Sequence, residues 1–198
     1  HVTDRRQRQM CIRDREIEFA VRNNIKVIVD NDYDLERLDE LSNLLNRELE
    51  IMIRFTPGIE CHTHEYIRTG SFDSKFGFGI EYLNILFANI RDTKHLILTG
   101  IHAHIGSQIF ELDPHNDLGE IMVNVILDAK KFDHNIKEIN VGGGLGIKYT
   151  KRDDPPSIDE WVKTISNSVV KACKKNNLDF PILMCEPGRS IVSTAGIT

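Results

Sequence analysis

The sequence predicts an α/β chain that forms part of a (β/α)8 barrel, and three observations carry that prediction. From about Glu16 onward, helix-period segments alternate with short β-branched strand segments, the pattern of a parallel sheet covered by helices. The strand segments recur about every 25 to 45 residues, which suits either a doubly wound sheet or a barrel. The polar segments around His104, Gly142 and Glu186 follow three successive strands, and a barrel gathers its site from several such strand ends. About six of the eight barrel strands are accounted for.

The elements follow in order. "EIEFAVRNN" has helical period and ends near Asn23 and Asn24, whose short polar side chains suit a helix terminus. "IKVIVD" is a short buried strand, and "DYDLERLDELSNLLNRE" a second amphipathic helix. "LEIMIRFTPG" is a strand stopped by Pro57 and Gly58, followed by a long polar loop over residues 59–74 and the short "KFGFGI". A helix around "EYLNILFANI" leads to the strand "HLILTGIHAHIG", then to the helix "NDLGEIMVNVILDAKKF". "IKEINVGGG" and "PILMCEPG" are the next strands. The helix between them begins at Ser157 with Glu160 three residues on, in capping-box spacing. "SIVSTAGIT" reads as a further strand.

The chain has 198 residues, of which 40% are hydrophobic and 28% charged, enough for one sizeable core. A net charge of -5 excludes a large nucleic-acid surface, which needs clustered Lys and Arg. Cys11, Cys61, Cys173 and Cys185 form no CxxC pair, so they read as reduced thiols of a cytoplasmic protein rather than a zinc knuckle or disulfide scaffold. No apolar stretch approaches the roughly 18 residues of a membrane span. Residues 1–15 carry five arginines without helical or strand period; they read as foreign or poorly ordered, ahead of a domain over residues 16–198. The two abrupt ends read as those of an internal fragment.

Several segments carry candidate chemistry. Gly142, Gly143 and Gly144 at a strand end expose backbone N–H groups suited to an anion, although the spacing matches neither the P-loop nor the dinucleotide fingerprint. The structural alternative is a tight turn that needs positive φ. In "MCEPGRS", Glu186 ends a strand, Pro187 and Gly188 turn, and Arg189 follows three residues on. A carboxylate there can hold a protonated ring nitrogen and an arginine can clamp a phosphate or carboxylate; a salt bridge across the turn is the alternative. Four of the eight histidines fall in two HxH pairs, His62 with His64 and His102 with His104. Alternate residues of a strand share a face, so a metal-dependent barrel hydrolase is the rival reading. Against it, Arg68 stands where an HExxH motif needs its second histidine, and later strand ends offer glycines, Glu186 and Arg189 instead of ligands. Lys75, in "GSFDSKFGFG", is a weak Schiff-base candidate and reads as structural.

Together the segments "VDNDYDLERL", "IRFTPGIECHTHEYIRTGSFDSKFGFGI", "GIHAHIGSQIF", "NVGGGLGIKY" and "CEPGRSIV", in that order across residues 16–198, resemble the fold-type III pyridoxal-phosphate decarboxylases. The resemblance implies a barrel of the alanine racemase/decarboxylase type with pyridoxal 5'-phosphate as cofactor and no metal. The "HTHEYIRTG" block and "GSQIF" point to members that convert meso-2,6-diaminopimelate to L-lysine and CO2; ornithine, arginine or carboxynorspermidine decarboxylation is the runner-up. A pyridoxal-phosphate-binding protein without turnover ranks below both.

Residue by residue, the resemblance implies that His104 stacks on the cofactor ring and Ser107 contacts its phosphate. Gly142, Gly143 and Gly144 would bind the phosphate through their amides, with Pro187 and Gly188 in the same cofactor-binding set. Glu186 would pair with the ring nitrogen, making it catalytic together with His104. Arg189 would contact the cofactor phosphate or the substrate carboxylate, and Arg54 would support the ring side. His102 reads as barrel wall. The resemblance further implies a homodimer whose β domain supplies a catalytic cysteine. Neither that domain nor the family's first-strand Schiff-base lysine, in a motif like "YAxKAN", is present, so the expectation is a chain inactive on its own.

Overall fold

The computed structural model describes residues 15–59, 76–193 and 195. Helix α1 covers residues 15–22. It is followed by strand β1 (Val27–Val29), helix α2 (Asp32–Leu45), strand β2 (Leu49–Thr56) and the two-residue strand β3 (Phe78–Gly79). A 3-10 turn at Ile80–Tyr82 opens helix α3 (Leu83–Arg91). Strand β4 (Leu96–His102), helix α4 (Asp113–Lys130), strand β5 (Glu138–Asn140), helix α5 (Ile158–Lys175), strand β6 (Ile182–Met184) and the short helix α6 (Gly188–Val192) complete the described chain.

The strands pair in parallel in the order β1-β2-β4-β5-β6, with β3 added at the end of β2. Spatial order follows chain order without the reversal that marks a doubly wound sheet. The described residues therefore form an arc of a (β/α)8-type barrel, the architecture expected from the polar segments at successive strand ends. Among the described residues no helix is long and apolar enough to cross a membrane.

The outer face of the arc is covered by helices. Ile51, Ile53, Ile101 and Ile139 from the strands join Leu38, Leu86, Phe87, Met122 and Trp161 from the helices in one buried cluster. Each such side chain, fully removed from water, contributes about 1.5–3 kcal/mol. Helix boundaries follow from local chemistry. Asn31 caps α2, its Oδ1 accepting the Asp34 amide at 3.0 Å, and Asn46 closes the same helix in the left-handed region, with φ 49°. The capping box read at Ser157 and Glu160 forms in both directions, with bonds of 3.2 and 2.9 Å.

One expectation is overturned. Part of "SIVSTAGIT", read as a strand, is helical: α6 spans Gly188–Val192, and the Ser193 amide donates to the Arg189 carbonyl at 2.9 Å. Ile191 and Val192 suggested a strand by β-branching, but Pro187, with φ fixed at -79°, starts a helical turn directly after the strand end. The loop expected over residues 59–74, with His62, His64 and Lys75 nearby, lies outside the described residues apart from Ile59.

Candidate functional site

Register places the polar residues in one row. Across the C-terminal ends of the strands, Arg54 pairs with His102 and His102 with Asn140. Asp30 follows β1 beside Arg54, with its Oδ1 3.3 Å from Arg54 Nη1. The row depends on an irregularity in β4: Ile51 of β2 pairs with Leu98, but Met52 pairs with Gly100, so Thr99 is an extra residue. A one-residue slip inverts which face a side chain occupies. Here it leaves Leu98 packed outward beside Ile51 while His102 joins Arg54 on the inner face. Gly100 makes room for Met52 at the crossing: a Cβ there would lie 2.5 Å from Met52 Cε and 2.8 Å from its Cγ, so the methionine would have to move.

Glu186 lies two residues beyond β6, its side chain about half exposed. Its Oε1 receives a hydrogen bond from Asn140 Nδ2 at 2.9 Å and lies 3.6 Å from His102 Nε2. The salt bridge across the turn is replaced by this arrangement: Arg189 Nη1 donates instead to Gln108 Oε1 at 3.3 Å. Gln108 also holds both sides of Ile147, donating to its carbonyl at 2.6 Å and accepting its amide at 3.2 Å, which ties the loop after β4 to the loop after β5.

The triple glycine is a turn whose shape excludes side chains. Gly142 has φ 65° and Gly144 φ 110°, conformations that favour glycine. A Cβ on Gly143 would overlap the Glu186 carbonyl oxygen. Two of the three amides have partners inside the protein: Gly142 N–H donates to Asn140 Oδ1 at 2.9 Å and Gly143 N–H to His104 Nδ1 at 3.2 Å. The loop thus ties His104 and Asn140 together.

The histidines are held neutral. Burial lowers the pKa of His104, and the positive charge of Arg54 lowers it further. Its acceptance of the Gly143 N–H places the ring proton on Nε2. Burial likewise lowers the His102 pKa, against the opposing charge of Glu186. Among the described residues no three His, Cys, Asp or Glu side chains converge closely enough to hold a metal ion.

The structure therefore brings Arg54, His102, His104, Gly142, Gly143, Glu186 and Arg189 to the ends of adjacent strands, with Ser107 on the loop after β4. Asn140 and Gln108 were missed in the sequence. Asn140 sits two residues before the glycines, on the face that alternation from Ile139 would have exposed; Gln108 had no local signal. A third missed residue is His115 on α4. It is fully buried, edge-on to Trp161 at 5.6 Å, with no hydrogen-bond partner on either ring nitrogen. Burial, with a smaller contribution from His104, lowers its pKa to about 4.

Comparison with known proteins places this geometry in a family. Diaminopimelate decarboxylase from Synechocystis sp. is 49% identical over 183 residues, covering 92% of this chain and 39% of that protein. The Bacillus subtilis diaminopimelate decarboxylase is 35% identical over 197 residues, covering 92% of this chain and 43% of the relative. Among solved structures, Helicobacter pylori diaminopimelate decarboxylase complexed with L-lysine superposes with a TM-score of 0.80 at 27% identity, covering 90% of this chain and 43% of that one. The chain thus spans about two fifths of the length of the relatives it matches. The family described as pyridoxal-dependent decarboxylase, pyridoxal binding domain, matches residues 7–193, and the chain belongs to that family.

Proposed function

We propose that residues 16–198 form part of the pyridoxal-phosphate-binding barrel of an enzyme that decarboxylates meso-2,6-diaminopimelate to L-lysine and CO2. The observation that carries it is the carboxylate of Glu186, held at the rim of the arc by Asn140, three residues before Arg189 and next to the glycine turn that holds His104.

The residues present fit the cofactor. Side chains at positions 142 to 144 would collide with His104 and with the Glu186 and Gly106 carbonyls, so the glycines let the turn pack closely against the loops that carry His104 and Glu186. A carboxylate beyond the strand end suits a ring N–H, and a hydroxyl on the loop after β4 with a guanidinium on α6 suits a phosphate. Ser107, Gly144, Gly188 and Arg189 are the proposed phosphate-side group. Gly142 and Gly143 contribute by shape and by holding His104, and Pro187 sets the turn between Glu186 and Arg189. His104 is the proposed wall against the ring face, with Arg54 supporting it, and Arg189 also reaches the substrate carboxylate.

When bound, pyridoxal phosphate supplies an electron sink for the pair left on the α-carbon as the carboxyl group departs. Glu186, a fixed anion, would hold a proton at the ring nitrogen, and that protonated nitrogen is what lets the ring take up the electron pair. A preorganised charge of this kind costs no reorganisation during the reaction. His104, kept neutral by burial and by Arg54, presents an uncharged face that does not compete with Glu186 for that proton.

The substrate assignment rests on the sequence relatives and on the lysine-complexed neighbour. A homodimer and a cytoplasmic location belong to the same proposal. The test is titration of the intact enzyme with pyridoxal phosphate, followed by lysine formation from meso-diaminopimelate in competition with ornithine and arginine. Absence of cofactor binding would overturn the proposal, and preferential turnover of ornithine or arginine would overturn its substrate.

A further inference from the structure

We infer that Asn140 is a positioning residue that fixes which oxygen of Glu186 faces the cofactor; this rests on the function proposed above. Asn140 is almost fully buried at the end of β5, 3% exposed, and its amide is committed at both ends. Oδ1 accepts the Gly142 N–H at 2.9 Å, which fixes the orientation of the amide and turns Nδ2 toward Glu186 Oε1, also at 2.9 Å. His102 Nε2 approaches that same oxygen from β4 at 3.6 Å. With Oε1 occupied from two strands, Oε2 becomes the atom that meets the ring nitrogen.

The chemical type of these neighbours matters as much as their position. A lysine or arginine against Oε1 would neutralise Glu186 and weaken its hold on a ring proton. Asn140 is an uncharged donor, and burial disfavours the charged form of His102. Both orient the carboxylate while leaving its negative charge intact. Through Gly142 the same side chain also sets the turn on which the Gly143 amide holds His104. One residue therefore aligns the groups proposed for the edge and the face of the ring.

A purely structural Asn140 would serve only the Gly142 turn, and Asn140→Asp separates the two roles. The aspartate keeps the shape and the acceptor for Gly142 but replaces the donor with a carboxylate facing Glu186 Oε1, so the two acids compete for one proton. In the intact enzyme we expect kcat to fall by about tenfold or more, as for other residues that orient a site group, with the pH midpoint of the bound cofactor's visible absorption displaced. Asn140→Ser, whose hydroxyl is too short to bridge both partners, should lose activity without that displacement. On a Glu186→Gln background, where no second carboxylate is present, Asn140→Asp should have little further effect on cofactor affinity.

Asn140→Asp with wild-type kcat and an unmoved absorption midpoint would overturn the inference while leaving the proposed function standing. Full additivity with Glu186→Gln, or failure of both Asn140 variants to fold, would assign the residue to the turn alone and overturn it too. A parent enzyme that binds no pyridoxal phosphate would instead remove the proposed function on which the inference rests.

Discussion

Replacing Gly142 with alanine perturbs three interactions at once. The residue has φ 65°, and placing an L-residue there costs about 1–2 kcal/mol. The new Cβ would lie 2.9 Å from the Ala103 carbonyl and 2.7 Å from His104 Nδ1. The carbonyl belongs to backbone whose own amide is bonded to Asn140 O at 2.9 Å, so relief comes from the turn and from the imidazole, at a further cost of about 1 kcal/mol. If the ring swings away, the buried Gly143 amide loses its acceptor, which costs about 1–3 kcal/mol. The sum is on the order of 4 kcal/mol, or a fall in Tm of roughly 8–16 °C for a chain of this size. Thermal unfolding of Gly142→Ala beside Gly142→Asn checks the account, because asparagine tolerates positive φ better but carries the same Cβ. The asparagine variant should recover only the conformational part of the loss. An alanine variant that melts within about 2 °C of the parent, with an unchanged His104 titration, would refute the reasoning.

Three further outcomes are expected. His115 titrates at about 4 against an ordinary 6.5, so between those values the unfolded chain takes up a proton that the folded one excludes. Its contribution is fully present above about pH 6.5 and is lost toward pH 4, on the order of 3 kcal/mol; His115→Phe should flatten that part of a plot of urea midpoint against pH, and an unchanged slope would contradict it. Arg54→Met should raise the His104 pKa, since burial and then the Arg54 charge depress it; NMR titration of the His104 ring decides, and a stationary midpoint would remove Arg54 from the electrostatics of the site. Ser157→Ala deletes the side-chain half of the α5 capping box, the hydroxyl that accepts the Glu160 amide, while the backbone N–H at that position can still donate to the Glu160 carboxylate; it should cost about 1 kcal/mol in denaturant unfolding, and no loss would show that the hydroxyl does not hold the helix start.

The legible part of this molecule was whatever repeats along the chain or sits beside a breaker. Strands and helices followed from periodicity, the α5 start from Ser157 and Glu160, and the candidate site from glycines and charges at strand ends. Periodicity failed at Ile191 and Val192, where the backbone set by Pro187 outweighed β-branching. It also could not reveal Asn140, Gln108 or His115. Asn140 acts across 46 residues on Glu186, Gln108 across 39 on Ile147 and 81 on Arg189, and His115 lies behind Gly144 only because α4 packs there. Contacts of that range are set by sheet register, which no window of sequence contains.

Register also explains why the two histidines of "GIHAHIGS" differ in surroundings despite their alternate spacing. Alternation alone would continue outward-facing Leu98 through Gly100 to His102 and turn that imidazole toward the helices. The extra residue at Thr99 inverts the sequence, so that Ile101 takes the outward place beside Ile53 and His102 the inward place between Arg54 and Asn140. Its backbone is secured where the inversion occurs, the Thr99 carbonyl accepting the Lys137 amide at 2.8 Å as β5 begins. His104 lies beyond the strand, where alternation no longer governs, and its place comes from the Gly143 amide instead. A local departure from β geometry thus brings His102 to Glu186, and a glycine turn on the next strand holds His104, so the HxH pair is divided between two neighbours.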